Sequence, residues 1–169
     1  MIEIRRMIFS DVPAIASAFE NSRWIIKEAD LFEEYLSKQA AGLLAIWIAC
    51  SDQQYAGYVT LSWKSQYSEF HKKDIPEIMD LNVLPEFRRK GIGTKLIQTA
   101  EQEAATQSNI VGMGTGLYAD YGSAQKLYVE LGYKPDGNGA TWQYKSVQPG
   151  AQYPIDDDLL LWFTKSLLS

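Results

Sequence analysis

A strand, a glycine-bearing basic turn, an amphipathic helix and a second strand are predicted in succession between residues 77 and 117. The first strand covers Glu77 to Leu84 and ends at Pro85-Glu86. The helix after the turn carries apolar or small residues at helical spacing, namely Gly93, Leu96, Ile97, Ala100 and Ala104. Ile110 to Leu117 then returns as a glycine-rich strand. This order of elements predicts a central crossover unit.

The segments on either side carry simpler strand and helix patterns. Before the unit we predict a strand at Ile2–Arg6, a helix from Val12 onward and a second helix at Glu28–Ala41. A hairpin follows, with Leu43–Cys50 and Tyr55–Trp63 as its two strands. After it we predict a short helix closed by Gly132 and two strands, Thr141–Val147 and Leu159–Thr164. The chain is therefore predicted to be an α/β protein of the α+β type, with about seven strands in a mixed, mostly antiparallel sheet and about four helices.

Composition limits the class of protein. The 169 residues predict one domain, residues 1–169, and 46% apolar with 22% charged residues is ordinary for a folded chain. A net charge of −5 disfavours nucleic-acid binding. The longest apolar run, Ala40 to Cys50, is far short of the roughly 18 residues that cross a bilayer. With one cysteine, one histidine and no secretory signal pattern, we expect no metal site, no membrane contact and a cytoplasmic location.

The turn between the first strand and the helix has the chemistry of an anion site. Its residues are Arg88, Arg89, Lys90, Gly91, Ile92, Gly93 and Thr94. Glycines let the backbone approach a ligand, and the first amides of the helix with the adjacent cations favour a pyrophosphate. The spacing matches neither the dinucleotide fingerprint nor the ATP P-loop. An unrelated nucleotide-binding protein that uses the same turn stays a minor alternative.

Two motifs resemble those of the GNAT superfamily of acyl-CoA-dependent N-acetyltransferases. Arg88-x-x-Gly91-x-Gly93 matches the family's pyrophosphate signature, and the segment from Ala124 to Tyr133 matches its A-x-x-L-Y-x-x-x-G-F/Y helix. The resemblance implies a GNAT-like fold and acetyl-CoA as the co-substrate. It also implies that the backbone of Leu81 and Val83 pairs with the pantetheine arm, while residues 88–94 hold the pyrophosphate. Many members carry an asparagine where this chain has Tyr121, and Ser123 is the candidate replacement contact.

The same resemblance assigns candidate catalytic residues. Tyr128 matches the general-acid tyrosine that protonates the departing thiolate, and the Val83 amide is the candidate oxyanion donor. Glu77 lies where some relatives carry a catalytic glutamate, and Asp80 is the next carboxylate on the same strand. Either carboxylate could deprotonate the amine through water. The structural alternatives are a core position for Tyr128, a solvated strand end for Glu77 and a loop contact for Asp80.

Four residues lie in segments that border the acceptor site in this family: Trp24, Trp63, Tyr67 and Glu69. Aromatic rings with carboxylates suit a small-molecule or peptide amine. The sequence thus predicts direct acetyl transfer from acetyl-CoA to a primary amine. The main alternative is a non-catalytic acyl-CoA sensor with the same fold, and an exposed final strand makes a homodimer a further expectation.

Overall fold

Eight strands and five helices make up the fold in the computed structural model, which describes residues 1–168. The strands are β1 Ile2–Arg6, β2 Leu44–Ser51, β3 Gln54–Ser62, β4 Glu77–Val83, β5 Ile110–Gly116, β6 Lys134–Trp142, β7 Lys145–Ser146 and β8 Leu159–Ser166. The helices are α1 Val12–Ser22, α2 Ala29–Ala40, α3 Ser68–Lys72, α4 Ile92–Ala104 and α5 Gly122–Glu130. One mixed, mostly antiparallel sheet contains the strands, which confirms the predicted fold class. None of the described helices is both long and apolar enough to span a bilayer.

The first of two compact units comprises Met1–Trp63 and Ile78–Glu103. Its strands are ordered β1-β2-β3-β4, and the predicted β2–β3 hairpin is confirmed. Asp52 and Gln53 form its turn with φ of 49° and 68°, the left-handed values that a two-residue hairpin turn requires. The core holds an aromatic cluster in which the rings of Phe19 and Phe32 pack edge-on against Tyr58, with ring centroids 5.6 and 5.2 Å from that of Tyr58. This packing fixes α1 and α2 against the hairpin.

Backbone crosses closely between β3 and β4. A Cβ built at Gly57 would lie 2.2 Å from the carbonyl oxygen of Asn82, so no side chain fits at this position. Leu84 N–H donates to the Ala56 carbonyl at 2.8 Å. Gly57 therefore lets the end of β4, which leads into the basic turn, lie directly against the hairpin.

The second unit comprises Lys64–Glu77 and the chain from Ala104 onward. Its strands are ordered β5-β8-β6-β7, and Glu77, the first residue of β4, pairs in parallel with Gly112. The core centres on Trp162, which has no exposed surface and stacks on Tyr67 with ring centroids 4.2 Å apart. A Cβ at Gly112 would lie 2.1 Å from the Phe70 ring, so this glycine makes room for α3.

The predictions between residues 64 and 147 need three corrections. Thr141–Val147 is not one strand, because Gln143 and Tyr144 have φ of 48° and 64° and form a hairpin turn between β6 and β7. The start of β6 was not predicted, since Pro135, Gly137 and Gly139 disfavour a regular strand and coincide with a register shift. The polar segment before Glu77 contains the short helix α3. The sheet therefore has eight strands instead of about seven, with five helices instead of about four.

Candidate active site

Asp80 forms the centre of a hydrogen-bonded network in the first unit. It has a φ of 49° in the middle of β4, so the strand is locally bent out of extended geometry. Its carboxylate accepts from Lys27 Nζ at 2.9 Å, from the Tyr35 hydroxyl at 2.8 Å and from the Tyr58 hydroxyl. Asn82 Nδ2 donates to Oδ1 at 2.7 Å. Four side chains thus hold one carboxylate at the bend of the strand.

The surroundings of Asp80 stabilise its charged form. Burial raises the pKa of this carboxyl, but the Lys27 charge and the hydrogen bonds from Tyr58, Lys27 and Tyr35 outweigh burial and hold the pKa below its usual range. A carboxylate of low pKa with a cation on it is a poor proton acceptor. The geometry therefore favours a structural task for Asp80, which fixes the bend next to Leu81, over the base role that it shared with Glu77.

We expect Asp80→Asn to lower the free energy of unfolding by about 2 kcal/mol, because it leaves the partly buried Lys27 ammonium without its counter-charge. Urea unfolding at pH 7 measures the change. Glu86→Gln removes an exposed carboxylate just beyond the same strand and serves as the matched control. Equal unfolding midpoints for Asp80→Asn, Glu86→Gln and the native chain would contradict the structural role.

The basic turn has a backbone that can hold an anion. Arg89 and Gly91 both have left-handed φ values, 63° and 79°, and the Lys95 amide donates to the Gly91 carbonyl at 3.1 Å to begin α4. The preceding amides of this 13-residue helix, including those of Gly93 and Thr94, have no acceptor within the helix. A Cβ at Gly91 would meet nothing within 4 Å, so open space adjoins the turn. These features fit the predicted pyrophosphate cradle.

The side chains of the basic cluster are exposed, and two of them donate to backbone carbonyls. Arg88 Nε donates to the Val83 carbonyl at 2.9 Å, and Lys90 Nζ donates to the Glu86 carbonyl at 3.1 Å. Leu81 and Val83 are half-buried, whereas Ile92 is a core residue at 1% exposure. Ile92 therefore has only its backbone available to the predicted cradle.

Glu77 is a buried carboxylate of the second unit, at 5% exposure, so the alternative of a solvated strand end is wrong. The Ser65 hydroxyl donates to its Oε2 at 2.6 Å and in turn accepts the Tyr67 amide at 3.0 Å. Oε1 has no hydrogen-bond partner among the described residues. Every fully buried side-chain oxygen of those residues has one, so Oε1 must contact solvent-accessible surface. One oxygen is thus anchored and the other is free to take a proton.

Burial raises the pKa of Glu77 to about 7, and the Ser65 hydrogen bond opposes this rise. At neutral pH the group therefore exchanges readily between its charged and neutral forms, as a general base requires. Tyr67, whose amide binds Ser65, also stacks on Trp162 and donates its hydroxyl to Asp136 at 2.8 Å. Tyr144 also packs on Trp162, and after burial the Glu77 charge is the largest cause of its raised pKa.

We expect Ser65→Ala to raise the pKa of Glu77 above about 7, because the lost hydrogen bond stabilises the charged carboxylate. The rising limb of a rate–pH profile would move to higher pH, and Ser65→Thr, which retains the hydroxyl, would restore it. A profile that does not move in Ser65→Ala would show that this hydroxyl does not tune Glu77.

Tyr128 lies in α5, also in the second unit, and is 8% exposed. Burial raises its pKa to about 12, so the phenol keeps its proton at neutral pH. Its hydroxyl has no hydrogen-bond partner among the described residues, and since none of their fully buried side-chain oxygens lacks one, it reaches the surface. The residue therefore has a buried ring with an available proton donor, which combines the core position with the predicted acid.

Tyr121, which stands where many family members carry an asparagine, has a hydrogen-bond partner of its own. The Tyr121 ring lies over Gly116, where a Cβ would be 2.3 Å from Cε2, and its hydroxyl donates to Asp157 at 2.9 Å. The Tyr118 hydroxyl donates to the same carboxylate. Ser123, the candidate substitute contact, is exposed near the start of α5.

The four predicted acceptor contacts occupy different surroundings. In the first unit, Trp24 is 40% exposed under the Arg88 guanidinium, and Trp63 is half-buried with its amide bound to the Leu43 carbonyl. In the second, Tyr67 is buried, and Glu69 pairs with Lys72 at 3.1 Å on α3.

Sequence reasoning missed Ser65, Lys27, Tyr35 and Tyr58 because no motif contains them and their partners are remote in sequence. In the described residues, no three His, Cys, Asp or Glu side chains are grouped to hold a metal ion.

Comparison with known proteins identifies the family. The model of the Acetyltransferase (GNAT) family matches residues 9–133. An uncharacterized N-acetyltransferase from Archaeoglobus fulgidus is 35% identical over 80 residues, which cover 47% of this chain and 52% of that protein. The chain thus spans about half the length of this curated relative.

Solved structures share the fold across almost the whole chain. An N-acetyltransferase from Staphylococcus aureus Mu50 superposes with a TM-score of 0.72 and 17% identity, over 99% of both chains. The protein yncA from Salmonella typhimurium, solved with its cofactor acetyl-CoA, superposes with a TM-score of 0.68 and 18% identity, over 98% of this chain and 94% of its own. The paia N-acetyltransferase from Thermoplasma acidophilum, in complex with coenzyme A, superposes with a TM-score of 0.67 and 16% identity, over 98% of this chain and 99% of its own. By its sequence match over residues 9–133, this chain belongs to the GNAT acetyltransferase family.

Proposed function

We propose that this protein transfers an acetyl group from acetyl-CoA directly to a primary amine of a small molecule or peptide. The observation that carries the proposal is the buried Glu77 carboxylate, with one oxygen fixed by Ser65, the other accessible and a pKa of about 7. Membership of the family supports acetyl transfer, and two similar structures were solved with acetyl-CoA or coenzyme A.

The basic turn is the proposed binding site for the pyrophosphate of acetyl-CoA. Backbone amides from Arg89 to Thr94 are the proposed donors, since the Arg88 amide already donates to the Pro85 carbonyl at 3.2 Å, and the side chains of Arg88, Arg89 and Lys90 supply positive charge. Leu81 and Val83 offer backbone groups to the pantetheine arm, and Ser123 offers a hydroxyl. When bound, acetyl-CoA supplies the acetyl thioester whose carbonyl carbon the amine attacks.

Two residues of the second unit handle the protons. Glu77 accepts a proton from the acceptor ammonium, directly or through one water, which frees the nitrogen lone pair for attack. As the nitrogen–carbon bond forms and the carbon–sulfur bond breaks, the Tyr128 hydroxyl donates its proton to the departing sulfur. The nitrogen then loses its second proton, which returns through water to the Tyr128 phenolate, so the products are the amide, CoA thiol and the proton held by Glu77. Val83 N–H is the proposed donor to the carbonyl oxygen. Cys50 is not expected to form an acyl-enzyme, because burial raises the pKa of its thiol and so disfavours the nucleophilic thiolate. This supports direct transfer.

A second candidate function is an acyl-CoA sensor without catalysis. The observation that favours it is Tyr121, which stands where many members carry an asparagine and whose hydroxyl is bound to Asp157. A sensor of this kind would bind CoA and acetyl-CoA without releasing CoA when amines are added.

A thermal-shift comparison of acetyl-CoA, CoA, ATP and NADPH tests the ligand class. A ligand at 100 times its dissociation constant stabilises the folded chain by roughly 2.7 kcal/mol, which raises the melting temperature measurably. We expect acetyl-CoA and CoA to raise it and ATP and NADPH to have little effect. A shift with ATP or NADPH alone would favour an unrelated nucleotide site and contradict the proposal.

A further inference from the structure

Trp24 and Arg88 form a stacked pair in the first unit. The Arg88 guanidinium carbon lies 4.1 Å from the centre of the Trp24 ring, which is the geometry of a cation–π contact. Trp24 follows α1 directly, after Arg23 has turned the chain with a φ of 54°. The chain after α1 and the basic turn therefore meet through these two side chains.

A second contact fixes the same guanidinium from one edge. Arg88 Nε donates to the Val83 carbonyl at 2.9 Å, at the end of β4. Among the described residues Arg88 forms no ion pair, and neither of its terminal nitrogens donates to them. One edge and one face of the planar group are occupied, so the two Nη atoms are left as a fork of free donors.

Arg89 and Lys90 have no comparable pair of contacts within residues 1–168. Among the described residues, Lys90 is held by a hydrogen bond to the Glu86 carbonyl, with the Phe87 ring centre 5.3 Å from its Nζ. Arginine binds phosphate in a bidentate way that depends on the orientation of its plane, and an arginine already held in place loses less rotational freedom on binding. Arg88 is therefore the side chain of the turn that is oriented before a ligand arrives.

We propose that Trp24 is a positioning residue for the pyrophosphate site, which holds the Arg88 fork in the orientation that binds CoA. This inference rests on the proposed function and changes the task of Trp24 from contact with the acceptor amine to support of the CoA turn. It also predicts that Arg88 cannot be replaced by lysine, because an ammonium neither stacks as a plane nor presents a fork.

Calorimetric titration of the complete chain with CoA tests the proposal. Trp24→Leu should raise the dissociation constant about two- to fivefold, the range expected for an exposed cation–π contact, and Trp24→Phe should retain most of the affinity. Arg88→Lys should weaken binding at least as much as Trp24→Leu. In an Arg88→Ala background, adding Trp24→Leu should cause no further loss, since the residue acts through Arg88.

Two results would overturn the proposal. One is an equal further loss in the Arg88→Ala background, which would mean that Trp24 acts independently of Arg88. The other is an unchanged dissociation constant for CoA together with a raised KM for the acceptor amine in Trp24→Leu, which would place Trp24 in the acceptor site. If the native chain itself binds no CoA, the proposed function fails, whereas CoA binding that ignores Trp24 refutes this inference alone.

Discussion

Replacing Tyr128 with phenylalanine should lower kcat by about tenfold or more and leave the dissociation constant of CoA nearly unchanged. The hydroxyl is the only group removed, and it has no hydrogen-bond partner among the described residues. The ring stays buried in α5, so packing is preserved. If the phenol protonates the departing sulfur, its loss acts on the chemical step alone and appears in kcat.

Tyr153→Phe is the matched control, because it removes a half-buried tyrosine hydroxyl of the same unit that accepts the Gln148 amide and has no proposed catalytic task. Its kcat should equal that of the native enzyme. Thermal unfolding of both variants checks that the fold is intact. Native turnover in Tyr128→Phe would remove this residue from the mechanism and leave solvent as the proton source.

Replacing Glu77 with glutamine should lower kcat/KM by about 100-fold and abolish the rise of the rate between pH 6 and 8. The base acts in its deprotonated form, and burial raises the pKa of Glu77 to about 7. The native rate should therefore increase as the pH passes through about 7 and level off above it. Glutamine cannot take up the proton, so this limb should disappear.

Stability provides a second test of the same carboxyl that does not depend on catalysis. Its folded-state pKa is raised above 4.5, so ionisation of Glu77 weakens the fold as the pH rises from about 4.5 to about 7. Glu77→Gln should thus match the native chain near pH 4.5 and be more stable above pH 7. Glu130→Gln changes an exposed carboxylate of α5 and should show neither effect. A rate–pH profile of Glu77→Gln that equals the native one would return the base role to Asp80 or to solvent.

Local patterns predicted the parts of the fold that depend on neighbouring residues. The stripe through Leu96, Ile97 and Ala100 predicted α4, and the two glycines after Arg88 predicted the turn, because both depend on spacing within one segment. The start of β6 escaped prediction, since Pro135 and the two following glycines disfavour a strand locally, and it is the pairing of Lys134 and Pro135 with β8 that places this segment in the sheet. Strand pairing of this kind is a tertiary effect that no local pattern reports.

The candidate site was predicted as residue types but not as environments. Glu77 and Asp80 look alike in the sequence, three positions apart on one strand. Burial raises the pKa of both carboxyl groups. Among the described residues only Ser65 opposes this rise at Glu77, whereas Lys27, Tyr35 and Tyr58 outweigh it at Asp80. Those partners come from distant segments, so the choice between the two bases needed the fold.

Release of CoA thiol from acetyl-CoA on addition of primary amines is the most direct test of the proposed activity. A panel of small amines and peptides with free amino groups should include an acceptor for which the native enzyme releases CoA and forms the acetylated amine in equal amounts. Tyr128→Phe and Glu77→Gln should each reduce that release. Tight binding of acetyl-CoA without amine-dependent release across the whole panel would contradict acetyl transfer and identify the protein as a sensor.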